Sequence, residues 1–135
     1  MKKCITVIIS GLMMFFIGNS AFAECYVASN FKGYTAKSHD KFAMVEDGIS
    51  GVDVKITIDG KKSKVSGSEE LTFVEVNPLL VFGVYVNDFD ENKSVIESYG
   101  VNLKNKKVFY TQTKTGYGVI DGVKMFIGDL KGVCK

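Results

Sequence analysis

Two cysteines frame this chain: Cys25 follows an apolar leader, and Cys134 stands one place from the end. Between them lie short runs of branched and aromatic residues, broken by glycine and Asn-Asp pairs at intervals of roughly ten residues, the rhythm of antiparallel β-structure. Joined, the two sulfurs tie the first of these strands to the last. That single constraint favours a sheet that returns to its own beginning.

The leader has three zones. Met1-Lys2-Lys3 supplies charge, Ile5 to Ile17 is apolar, and Ala21-Phe22-Ala23 is a small-x-small junction of the kind signal peptidases accept. The apolar run is too short for a bilayer span, which needs roughly 20 residues. Glu24 precedes Cys25 where lipid attachment requires a small residue. Residues 1–23 therefore read as a cleavable secretory signal peptide and residues 24–135 as a single β domain. Cys4 falls in the discarded segment and has no role. Export places the other two cysteines where disulfides form. With no Cys-x-x-Cys spacing to activate a thiol, Cys25–Cys134 reads as a structural staple. Closing so long a loop is worth about 4–5 kcal/mol in the chain-entropy account.

Lys2 and Lys3 account for the whole net charge of +2, so the mature chain is formally neutral. Every basic residue is lysine. Without arginine's planar fork or a basic surplus, nothing here marks a nucleic-acid partner or stable attachment to an anionic membrane after signal cleavage.

Along the mature chain the first segment, Cys25 to Lys37, reads as a strand kinked or bulged at Gly33. A run from Lys41 to Val45 ends at an Asp47-Gly48 turn. Val52, Val54, Ile56 and Ile58 alternate with Asp53, Lys55 and Thr57, strict period two with one apolar face. Asp59-Gly60 turns the chain into a lysine-rich edge strand, Lys62 to Ser66, and Leu71 to Val76 follows as far as the Asn77-Pro78 break. Leu79 to Val86 is apolar on both faces, which requires a cover for the second: another part of this chain, or a partner, a second copy or an apolar ligand. Ser94 to Leu103 and Lys107 to Thr113 form a hairpin, the start of the first being open to one turn of helix. Val123 to Leu130 is the last strand, with a bulge at Gly128. The fold expected is all-β, a small antiparallel barrel or closed sandwich of about eight strands, with the first and last adjacent and tied by the disulfide.

Residues able to carry chemistry are few. His39 is the sole histidine, and its nearest acid, Asp40, is the next residue, where strand neighbours point oppositely; it reads as a solvated loop residue. Zinc would need three or four nitrogen or sulfur ligands. Asp88, Asp90 and Asn92 match the alternating oxygens of a calcium loop, but Lys93 stands where glycine is required and Tyr99 where a bidentate glutamate belongs. No metal, cofactor or catalytic residue is expected, and hence no enzyme. The Asn92-Lys93-Ser94 sequon carries no weight behind a leader of bacterial character. Gly116-Tyr117-Gly118 reads either as a recognition tip or as a loop whose tyrosine lies back on the barrel mouth. With Asp88, Asp90 and Glu91 it is the expected contact surface for a protein partner. The function expected is a small secreted or periplasmic binding protein of inhibitor or immunity type. The alternatives are a barrel carrying an apolar small molecule and a surface or assembly subunit.

Overall fold

A computed structural model describes residues 23–87 and 89–135. The predicted leader, up to Phe22, lies outside the described residues, as does Asp88. Nine strands are present among them: β1 (Glu24–Lys37), β2 (Met44–Ile49), β3 (Val54–Ile58), β4 (Lys64–Val65), β5 (Thr72–Asn77), β6 (Leu80–Asn87), β7 (Asp90–Asn102), β8 (Lys107–Thr115) and β9 (Gly122–Val133). All pair antiparallel in the order β4-β3-β1-β9-β8-β7-β6-β5, with β2 also on β1.

The long β1 uses one edge twice. Its first half pairs with β3 and its second with β2, so β2 and β3 lie end to end as one interrupted stave. The result is a nearly closed up-and-down barrel of eight staves. The remaining seam, between β4 and β5, has no ladder; there the Gly60 amide donates to Glu75 Oε2 at 2.8 Å. Away from the seam, β1 and β9 run side by side and the Cys25–Cys134 disulfide joins them, with the Cys134 amide donating to the Cys25 carbonyl.

Period-two alternation decides what faces inward. Ile56 and Ile58 on β3, Val81 on β6, Tyr99 on β7, Val108 and Tyr110 on β8 and Phe126 on β9 fill the interior with Phe31 and Phe73. The rings interlock: Tyr110 lies 4.8 Å from Tyr99, 5.6 Å from Phe126 and 6.3 Å edge-on to Phe31, centroid to centroid. Such contacts add to simple area burial.

Several local expectations are corrected. The bulge in β1 is at Asn30, which adopts φ +54°, and not at Gly33. Gly33 is needed because a Cβ there would lie 2.0 Å from the Met125 carbonyl oxygen of the neighbouring strand. Gly128 is no bulge either: it sits opposite the extra residues of β1, and the Phe31 ring fills the place of its missing side chain. The predicted Asp47-Gly48 turn lies inside β2, because the chain has already reversed at Lys41 and Phe42. Lys62–Ser66 shortens to the two residues of β4. Val52 precedes β3 and is exposed, since the alternation that buries Val54, Ile56 and Ile58 starts only with the strand. The start of Ser94–Leu103 is strand, being bonded on both edges by β6 and β8. On β6 the second face is not covered among the described residues: Phe82 and Val86 are exposed.

Candidate functional site

Three hairpin turns, β1–β2, β6–β7 and β8–β9, share the end of the barrel away from the disulfide and lie edge to edge. The β1–β2 turn meets the β8–β9 turn where His39 Nδ1 donates to the Val119 carbonyl at 3.0 Å. The β8–β9 turn meets the start of β7 at Gly116, where a side chain would strike the Asn92 carbonyl. Each of the three turns carries a large apolar residue at its tip. Phe42 is 61% exposed, Val119 66% and Phe89 fully exposed.

The sequence folds these turns as it does for separate reasons. In the first, Ser38–Asp40 form one 3-10 turn, after which Lys41 and Phe42 both adopt left-handed backbone, φ +55° and +60°. That conformation is costly for a residue as bulky as phenylalanine. The 3-10 turn also brings His39 Nε2 to 2.9 Å from Asp40 Oδ2, correcting the expectation that adjacent residues diverge. In the third, Asp121 takes the Tyr117 and Gly116 amides on its two carboxylate oxygens at 2.6 and 3.1 Å. Gly116 (φ +83°) and Gly118 (φ +72°) supply the positive φ this loop needs. At the start of β7, the Asn92 amide and, beside it, the Lys93 ammonium hold the Asp90 carboxyl below the usual range.

Of the residues singled out in the sequence, Gly116, Tyr117, Gly118 and Asp90 therefore share this end of the barrel. Asp88 and the side chain of Glu91 lie outside what the structure describes. Tyr117 takes the second of its two expected positions: half-buried, it packs on the edge of the core with the Lys114 ammonium 5.3 Å from its ring centre.

Beneath the turns the interior is polar on one level, which sequence reasoning missed. Glu97 on β7 is 4% exposed. Its carboxylate accepts from Ser68 Oγ (2.8 Å), Tyr99 OH (3.3 Å), Tyr110 OH (3.1 Å) and Gln112 Nε2 (2.6 Å). Burial first, and then the Glu97 charge, push both tyrosine hydroxyls well above their ordinary pKa. The signal was present: Val95, Glu97, Tyr99 and Val101 occupy alternate positions, so the one acid falls on the apolar face. Pairing continues this row through Gln112 and Lys124 to Thr35. Burial lowers the Lys124 pKa, with the nearby Lys37 and Lys114 charges acting the same way and Asp47 and Glu97 opposing them.

On the outer face, a groove of about 1070 Å³ runs over β1, β2, β8 and β9, lined in part by the exposed side chains of Tyr34, Phe109, Met125 and Ile127. Among the described residues no group of three His, Cys, Asp or Glu could hold a metal ion, and no helix is long and apolar enough to cross a membrane. Compared with family models, with curated proteins and with solved structures, the chain matches none.

Proposed function

We propose that this chain is an exported bacterial protein, periplasmic or secreted, that acts by binding another protein, as inhibitors and immunity factors do, and performs no catalysis. One observation carries the reading: three contiguous turns at one end of the barrel hold Phe42, Val119 and Phe89 out to solvent. Large apolar side chains clustered on a surface mark interaction sites, and truncating central apolar anchors removes most of an interface's energy. The left-handed Phe42 strengthens it, since backbone strain of this kind clusters at functional sites. Asp90, one of the residues expected from the sequence to make the contact, follows Phe89 directly at the edge of the arc.

The test is capture of partners from periplasm and culture medium by the wild type and by the variant Phe42→Ser/Val119→Ser. A partner retained by wild type and bound about ten-fold or more weakly by the variant is the expected result. Equal capture by both would overturn the reading. So would variant-sensitive binding to phosphatidylcholine–phosphatidylglycerol vesicles with no protein captured.

The outer groove favours a second reading, an assembly subunit whose copies meet through Tyr34, Phe109, Met125 and Ile127. Light scattering that shows oligomers growing with concentration, and lost in Met125→Lys, would favour it.

A further inference from the structure

The same end of the barrel carries a cationic centre inside its ring of apolar tips. In the strand register Lys37 on β1 and Lys114 on β8 both stand opposite Gly122 on β9, one from each side. Lys124 lies two residues further along β9 and so faces the same way, one level deeper. Gly122 lets β1 approach closely here, since a Cβ on it would strike the Ala36 carbonyl. All three lysines are half-buried, and none is in an ion pair among the described residues. Lys114 instead stands over the Tyr117 ring. Two acids lie near Lys124: Glu97, whose carboxylate already accepts four hydrogen bonds, and Asp47, whose carboxylate accepts from the Gly48 amide at 2.8 Å. Three half-buried lysines on one face of the mouth, with two acids near them and no ion pair among the described residues, form an acceptor for a further negative charge. Charge-assisted hydrogen bonds to such groups are the strong ones.

The geometry points to a carboxylate-binding site at the barrel mouth, formed by Lys37, Lys114 and Lys124 above Gly122 and walled by Tyr117. It deepens the protein-binding reading and rests on it for the carboxylate's source, an acidic side chain or chain terminus that the partner lowers between the apolar tips. A free small carboxylate has the same chemistry and the test separates the two.

Acetate is titrated into the purified exported protein at constant ionic strength, balanced with chloride, while amide resonances are followed by NMR. Saturable shifts confined to the neighbourhood of Lys37, Lys114, Gly122 and Lys124 are expected, weakened about ten-fold by Lys124→Met and restored by Lys124→Arg. Non-saturable or dispersed shifts, or the same affinity in Lys124→Met with its spectrum otherwise intact, overturn the site. Where Lys124→Met also weakens capture of the protein partner, the carboxylate belongs to that partner; where only acetate binding falls, the site holds a free anion. Phe42→Ser/Val119→Ser should leave the acetate response unchanged, so loss of the apolar contact and loss of the anion site are read apart.

Discussion

Glu97 is the residue on which the interior turns. A carboxylate inside a barrel of aromatic rings is tolerable only if its lone pairs are engaged, and four donors from three different parts of the chain engage them. The arrangement has a price in pH. Tyr99 and Tyr110 hold their protons more tightly in the fold than in the unfolded chain, where a tyrosine titrates near pH 10. Above that pH the unfolded state therefore binds fewer protons than the folded one, and stability falls as pH rises. Below about pH 10 the contribution is fully present. We expect a melting temperature that is level with respect to these two groups up to about pH 9 and drops beyond about pH 10. The double variant Tyr99→Phe/Tyr110→Phe should show a shallower drop. Thermal melts across this range check it, and an unchanged slope in the variant would refute the assignment.

At the scale of elements, the strands owe their bends to residues whose roles show only in pairs. β1 carries two residues, Asn30 and Phe31, where β9 carries the single Gly128. The bulge swings Phe31 inward, and glycine leaves room for its ring, which cannot retreat because Tyr110 packs edge-on behind it. Gly128→Ala would place a methyl about 2.7 Å from the ring. Overpacking of this kind costs about 1–3 kcal/mol. Urea denaturation should show the midpoint falling with the slope unchanged, and a stability equal to wild type would mean the bulge relaxes freely. Gly83 is a parallel case, with the Phe73 ring over it. In both, one ring and one glycine on neighbouring staves make a single packing unit.

For the whole molecule, closure is the governing fact. The barrel is laced by ladders on every side but the β4–β5 seam, and the disulfide lies on a side that is already laced. Its contribution is therefore to the unfolded chain, where it closes a loop with a sequence separation of 109 and so lowers that chain's entropy. Cys25→Ser/Cys134→Ser should lower stability by about 4–5 kcal/mol while far-ultraviolet circular dichroism keeps its β signature. A variant as stable as the parent would show that the ladders alone set the stability.

Composition and alternation were enough to establish an all-β barrel-like fold, the cysteine pairing and most strands, because period-two burial and turn chemistry are local properties. Val54, Ile56 and Ile58 could be placed on the core face from their spacing alone. Other features had no local sign. The exposure of Phe42 depends on a left-handed turn, the filling of the barrel on which glycine meets which ring, and the lysine cluster on three strands brought into register by closure. Phe31 meets Gly128, and Lys37 meets Gly122, only because pairing across the finished sheet brings the first strand beside the last.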